Sequence, residues 1–532
     1  MPIGIFSAIL TSKLVQRYKI ISIFVGYIMT DMTKRTVYLS AFITFFLTTI
    51  IAGQVNAQSK GFKLGQWTEI HNGIVKELSR SYVDSLPVDK MMRAGVNAML
   101  EQLDPYTVYI PEEENEDLQM MLSKTYGGIG AIIHKKKGEN VIINEPYFGA
   151  PAHKYGLQCG DEIIAIDGMP TKDLETKESS DRMKGKPGTT VVFRVKKVRT
   201  NDTVDISIVR ERIHFPDIEY AGMLDDTTGY ILQSGFTEGV AQQLKDKFLA
   251  LKGQGMKRLV LDLRGNGGGL MSEAVNIISL FVPKGSLAVS SKGKLESREY
   301  HTQSEPVDTQ MPIIVMIDGG SASASEIVSG GLQDLGRATI MGKTSFGKGL
   351  VQSIRPLQYN GQMKITTAKY YTPSGRCVQG VGVKPDVEID LPEYSRLVYS
   401  LVLSGVIDQY VLKFAREHGS IAPVDEYHFS DTDFEDFVTF AMTQEFDYRS
   451  SAKASFDKMK EELQKDGLTE VMSEELAALE KALDMDKEKF IRLKKNEIIP
   501  FIEEEIATRY WWQEAGVKIH LRYDTQLKNA LK

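Results

Sequence analysis

The sequence predicts an α/β core that carries an inserted β-rich module and has helical regions on both sides. Three observations predict it. Apolar strand-like runs alternate with helical periodicity across 213–392, as in a sheet covered by helices. A string of short strands separated by glycine turns fills 125–212. The stretches 58–124 and 393–532 read as mostly helical and charged.

The first 57 residues form a separate case. From Met32 the chain reads Met-Thr-Lys-Arg, then an apolar run over 37–52, then Gly53-Gln54-Val55-Asn56-Ala57. A basic segment, an apolar segment and a small-x-small site make a secretory leader with cleavage after Ala57. Residues 1–31 precede this complete leader, so Met32 is the expected start. The apolar run is short for a span of roughly 20 residues, and no cysteine adjoins it to carry a lipid. The expected location is therefore outside the cytoplasmic membrane, periplasmic or membrane-associated on its outer side. No later stretch is apolar enough to span a bilayer.

In the N-terminal helical region, Leu64, Trp67, Ile70, Ile74 and Leu78 recur at three- and four-residue steps, which predicts an amphipathic helix. A second helix is expected over 91–103 and stops at Asp104-Pro105, because the residue before proline avoids the helical region. In the β-rich module, Tyr126-Gly127-Gly128-Ile129-Gly130 leads into a strand from Ala131. Further strands are expected at 141–144, 162–166, 190–196 and 204–210. In the core, strands are expected at 230–233, 258–263 and 312–317, and helices at 240–251, 274–281 and 325–335. Extended segments follow at 350–355, 362–371 and 387–389. Helices at 451–465 and 473–483 stand out in the last region, which carries no catalytic motif and is expected to serve packing or oligomerisation.

Composition narrows the function. Hydrophobic residues make up 42% and charged residues 25%, which suits a globular protein, and the net charge of −6 argues against a nucleic-acid binder. Cys159 and Cys377 lie far apart, so they define no disulfide framework and are expected to be free. The eight histidines form no ligand cluster, and neither metal nor cofactor has support.

Three segments carry chemistry. Ser321-Ala322-Ser323-Ala324-Ser325-Glu326-Ile327 follows an apolar strand and opens a helix, where backbone N–H groups can stabilise negative charge. By itself such a serine is also a good helix N-cap. The stretch 342–352 fits the start of a phosphate-binding loop. The match fails where Gly349 replaces the Mg²⁺-binding hydroxyl, and an extended segment follows instead of a helix. The stretch 264–269, Arg-Gly-Asn-Gly-Gly-Gly, joins a strand to a helix but lacks the third glycine of a dinucleotide fingerprint. Such a turn also supplies N–H groups for an oxyanion.

The module at 125–212, with Gly-Leu-Gln-Cys-Gly-Asp-Glu-Ile-Ile-Ala-Ile-Asp-Gly downstream of a Gly-rich loop, resembles a PDZ domain. The three segments, in the order Asp-Leu-Arg-Gly-Asn-Gly-Gly-Gly, Ser-Ala-Ser-Ala-Ser-Glu-Ile and Phe-Gly-Lys-Gly-Leu-Val-Gln, resemble those of the C-terminal processing (tail-specific) proteases. The resemblance covers roughly 60–390; Ser345 stands where many members carry Thr. It implies a crotonase/Clp-protease-like α/β protease core, with Ser323 as nucleophile, Lys348 as base and Gln352 orienting the lysine. It also implies that Tyr126, Gly127, Gly128, Ile129 and Gly130 capture the C-terminal carboxylate of an apolar tail by strand addition.

A serine needs a base to become nucleophilic. A lysine at its ordinary pKa of about 10.4 is charged and cannot serve, whereas burial can bring it to about 7–8, which costs the ammonium about 4 kcal/mol. Phe346, Leu350 and Val351 are expected to give Lys348 apolar company. Backbone N–H groups of Gly268 and Ala324 are the expected oxyanion donors. Expected partners are proteins with apolar or unstructured C-termini, a nearby membrane, and a second copy through the helical regions. Two other readings use the same residues, a non-catalytic PDZ scaffold and a crotonase-type acyl-CoA enzyme. The intact Ser323, Lys348 and Gln352 argue against the first, and the leader and PDZ module against the second.

Overall fold

The computed structural model describes residues 60–136, 138–483 and 486–532. The leader, its start at Met32 and its cleavage after Ala57 lie outside them. The chain divides into two units, Met1–Ala98 and Met99–Lys532. In the first, the expected amphipathic helix is present as Lys60–Ser81, and Leu64, Trp67, Ile70 and Ile74 along its stripe are exposed. The second helix, Val88–Glu101, ends before Asp104, whose carboxylate accepts the N–H groups of Tyr106 and Thr107 at 2.8 Å each.

A six-stranded sheet organises the core. Its order is Ile218–Met223, Thr228–Gln233, Arg258–Asp262, Ile313–Ile317, Thr339–Gly342, Val387–Glu388, parallel except for the first pair. Alternation along the strands gives it two apolar faces. Leu259, Leu261, Ile313, Val315 and Ile317 join the cluster built with the helices Val240–Gly253, Met271–Ser279 and Ala324–Asp334. Val260 and Met316 point the other way and meet Leu527 and Ala530 of the terminal helix Thr525–Ala530. Because neighbouring strands run parallel, the loops after Asp262, Ile317 and Gly342 emerge at one edge, where open α/β sheets form sites.

A second, antiparallel sheet contains Val108–Ile110, Gln362–Tyr371, Leu287–Gly293 and Ser297–His301, with Leu350–Pro356 also paired to Gln362–Tyr371. The strand at Val108–Ile110 and the hairpin 287–301 were not expected from sequence.

The β-rich module has its own sheet, ordered Ala131–His134, Val141–Pro146, Glu162–Ile166, Thr190–Lys196, Thr203–Val209. Its core includes Ile143, Ile163, Val191, Phe193 and Ile208. The strands leading in and out, Thr125–Gly128 and Glu211–His214, pair with each other, so the module hangs from a two-stranded stem. The helix Thr176–Met183 is an addition to the sequence reading.

The last region is helical, with a cluster of its own built on residues such as Leu401, Tyr410, Phe437 and Ile502. Among the described residues no single helix is long and apolar enough to cross a membrane. Cys159 and Cys377 are free.

Candidate active site

The middle serine of the Ser-Ala-Ser-Ala-Ser run differs from its neighbours. Ser321 is buried and donates its hydroxyl to the Leu263 carbonyl at 2.7 Å. Ser325 is buried and donates to the Asn266 carbonyl at 2.8 Å. Both sew the helix start to the Gly-rich turn. Ser323, half-buried between them, lines an open cavity of about 310 Å³ together with Lys348, Gln352 and Gly267, Gly268 and Gly269. Its backbone is held at φ 57°, ψ −112°, a conformation a β-carbon disfavours. Such strain at a strand-to-helix turn presents a nucleophile above the sheet edge.

A buried carboxylate that the sequence reading left without a role fixes this arrangement. Glu326 Oε2 accepts the N–H groups of Ser323 and Lys348, each at 2.8 Å. Its Oε1 accepts the Gly347 N–H at 2.7 Å and the Ser345 hydroxyl at 2.6 Å. One side chain therefore registers the serine loop against the lysine loop. The sequence signal was present, since Ser-x-x-Glu at a helix start is a capping box. The bonds to Gly347 and Lys348 had no local signal.

Lys348 extends into the cavity, with Nζ 4.9 Å from the centre of the Tyr106 ring. Burial holds its pKa below the usual lysine value, Lys364 on the same cavity wall lowers it further, and Glu326 opposes both. Leu350 and Val351 line the cavity as expected, but Phe346 does not. Its side chain is 56% exposed, because the Phe346 N–H is bonded to the Ser321 carbonyl and the ring faces outward. Tyr106, from the segment before the PDZ-like module, takes that place. Gln352 lines the cavity beside the lysine, and its amide nitrogen is buried with no hydrogen-bond partner.

The two expected oxyanion donors lie side by side. Gly268 has φ 94°, and a β-carbon there would stand 2.6 Å from the Ala322 carbonyl oxygen and 2.8 Å from the Ala324 nitrogen, so only glycine fits. In this conformation the Gly268 N–H donates to Asn266 Oδ1 at 2.9 Å. Asn266 is itself fully buried and tied to the Gln233 carbonyl at 2.7 Å.

In the module, the Tyr126 ring stacks on Phe215 at 5.6 Å. Gly127 is part of the stem and its carbonyl accepts the Gly185 N–H at 2.9 Å. Gly128, Ile129 and Gly130 are buried. The carbonyls of Ile129 and Gly130 accept from Ala152 and Tyr147 at 2.7 and 2.9 Å. The next strand, Ala131–His134, is an edge strand of its sheet.

Comparison with known proteins agrees with this layout. Residues 227–389 match the model of peptidase family S41, and residues 125–208 that of the PDZ domain. Residues 397–532 match the model described as probable PDZ-protease, C-terminal helical domain. The chain is 31% identical over 367 residues to the carboxy-terminal processing protease CtpA of Bacillus subtilis (strain 168), covering 68% of this chain and 77% of that protein. It is 36% identical over 327 residues to the carboxy-terminal-processing protease of Bartonella bacilliformis, covering 60% and 74%. Among solved structures, the photosystem II D1 C-terminal processing protease is similar at 27% identity, covering 63% of this chain and 88% of that chain, with a TM-score of 0.39.

Proposed function

This chain belongs to the carboxy-terminal processing proteases of peptidase family S41, and from that premise we propose that it cleaves exported proteins near their C-termini with a Ser323/Lys348 pair. The observation that carries this reading is the Glu326 carboxylate, which binds the N–H groups of Ser323 and Lys348 at 2.8 Å each and so keeps both residues on one cavity. As Ser323 Oγ bonds to the scissile carbonyl carbon, its proton passes to neutral Lys348 Nζ and the carbonyl electron pair moves onto oxygen. Collapse breaks the C–N bond, and the lysine returns the proton to the leaving amine. Water then attacks the acyl-enzyme by the same route and releases the new C-terminal carboxylate. Gln352, whose buried amide nitrogen has no other partner, orients Lys348. Ala324 N–H and Gly268 N–H receive the oxyanion, the latter by exchanging Asn266 Oδ1 for the substrate oxygen.

The exposed edge of Ala131–His134 supports tail capture by strand addition, with Tyr126, Gly127, Gly128, Ile129 and Gly130 at the carboxylate end. The parallel sheet with its Gly-rich turn supports a crotonase/Clp-protease-like core. The export address rests on the leader at 32–57.

The test is proteolysis of an unstructured substrate with a free apolar C-terminus by residues 58–532, with EDTA present. Cleavage is expected in the wild type and a loss of at least about 10³-fold in Ser323→Ala and in Lys348→Ala. Full activity in Lys348→Ala would place the base elsewhere.

A further inference from the structure

We propose that Asp524 and Gln526, at the far C-terminal end of the chain, are positioning residues of the catalytic turn and act on it through Arg264. The inference rests on the reading of Ser323 and the Gly-rich turn as the catalytic site.

Arg264 is the last residue before the glycines, and its backbone N–H is held by Asp262 Oδ1 at 2.9 Å. Its guanidinium faces away from the cavity. On one side it meets Asp262, with Nε 3.0 and 2.9 Å from the two carboxylate oxygens. On the other it meets the C-terminal segment, with one terminal nitrogen 2.5 Å from Asp524 Oδ2 and the other 3.0 Å from Gln526 Oε1. The side chains of Arg264, Asp262 and Asp524 are 15%, 1% and 4% exposed. A forked, charge-assisted set of bonds away from water constrains direction as well as distance.

The clamp's outer jaw is itself fixed. Asp524 Oδ1 caps the terminal helix by accepting the Leu527 N–H at 2.9 Å. Gln526 donates its amide N–H to the Ile389 carbonyl at 3.1 Å, which ties it to the end of the core sheet. Leu527 and Ala530 press the same helix onto Val260 and Met316 of the strands that feed the site.

Beside the clamp, the Gly265 N–H is held by Asp318 Oδ1 at 2.9 Å. A cavity of about 510 Å³ opens there, walled by Asp262, Arg264, Gly265 and Asp318 on the core side and by His520 and Asp524 on the other. Side-chain packing does not fill that space, so the polar clamp restrains the turn at this point. The front of the turn leaves no slack, since Gly268 abuts Ala322, Ser323 and Ala324. A shift of about 1 Å in such a group can cost roughly 10²-fold in rate. The terminal helix thus completes the geometry of a site some 200 residues earlier in the chain, as a consequence of bonds spanning 260 and 262 positions.

The experiment compares Asp524→Asn, Gln526→Met and Gln526→Glu with wild type in the full chain without its leader. Four quantities are read: kcat, KM, the rate at which a fluorophosphonate phosphonylates Ser323 with loss of fluoride, and the affinity for a tail peptide. Asp524→Asn and Gln526→Met are expected to lower kcat and the phosphonylation rate at least about tenfold, with KM and peptide affinity within about twofold. Gln526→Glu keeps the acceptor facing Arg264 and is expected to keep most of the rate. Wild-type kcat and phosphonylation in folded Gln526→Met, even with a lower unfolding temperature, overturns the proposal. The Gln526 pair decides the matter if Asp524→Asn does not fold. Labelling that persists in Ser323→Ala sinks the reading of the site instead of the clamp.

Discussion

Lys348 is the residue on which opposed influences converge. Burial is the largest and favours the neutral amine, Lys364 adds to it by like-charge repulsion, and Glu326 favours the ammonium. In the proposed mechanism the neutral amine is the base, so kcat/KM should rise with pH through this depressed pKa and level off above it. Lys364→Met removes the repulsion, raises the pKa and moves the acid limb to higher pH. Activity below the inflection should fall several-fold while the alkaline plateau stays unchanged. A limb that stays in place or moves to lower pH would show that Lys364 does not act on the base. Ser323, Lys348 and Gln352, which line one cavity, could be singled out in the sequence because their motifs are contiguous. Lys364, Tyr106 and the reach of Glu326 were not, since they meet the base only after the second sheet and the segment 104–110 close around it. Phe346 misled the reading for the same reason: an apolar residue inside a motif says nothing about which way it faces.

The helix that Ser323 caps, Ala324–Asp334, contains Gly330 and Gly331, a pair that costs a helix roughly 1 kcal/mol per residue relative to alanine. Close approach explains it. A β-carbon on Gly331 would stand 2.7 Å from Ile278 Cδ1 in the neighbouring helix Met271–Ser279, and one on Gly330 would stand 2.8 Å from Thr372. Ile278 is fully buried within the core cluster, so its methyl can yield only by shifting against its neighbours. Gly331→Val should therefore destabilise the fold by about 1–3 kcal/mol through overpacking, and should lower kcat because the displaced helix carries Ser323. Unfolding in urea gives the first and initial rates the second; an unchanged denaturation midpoint would mean that the two helices tolerate separation. Four of the six strands of the core sheet and its three helices were legible from their apolar period to within a few residues, whereas Ile218–Met223 and Thr339–Gly342 were not expected. Thr176–Met183 was not, because only Ser179 and Met183 are buried and the rest of the helix is polar, leaving no stripe to detect. Val108–Ile110 has three residues, too few for any period, and becomes a strand only by pairing with Gln362, Met363 and Lys364.

At the scale of the whole molecule, the region 393–532 does more than the packing role its composition suggested. It touches the Gly-rich turn where Asp524 meets Arg264, and it also holds the PDZ module. Arg509, whose side chain is 2% exposed, reaches Asn144 of the module at 2.8 Å while it pairs with Glu505 and Asp408. Trp512, at a kink where its φ is 71°, meets His153 and Phe148 of the module at 4.9 and 5.4 Å. No sequence period could reveal contacts between positions 365 residues apart. Glu145 lies in this interface, 6% exposed. Desolvation pushes its pKa from 4.5 up to about 7; Arg509 opposes the rise, Glu505 adds to it and Gln513 opposes it. The protonated carboxyl is thus favoured when the module is seated. Its contribution is full below the ordinary value of 4.5 and is lost as the pH rises through about 7. Seating should loosen over that window, so hydrogen exchange in Val141–Pro146, corrected for the intrinsic pH dependence of exchange, should show protection falling between about pH 5 and 8. Glu145→Gln carries no titrating group and should hold its protection constant across the same range. Protection that rises with pH, or a glutamine variant that keeps the wild-type slope, would mean that the seating of the module is governed by Arg509 and the aromatic contacts without help from this proton.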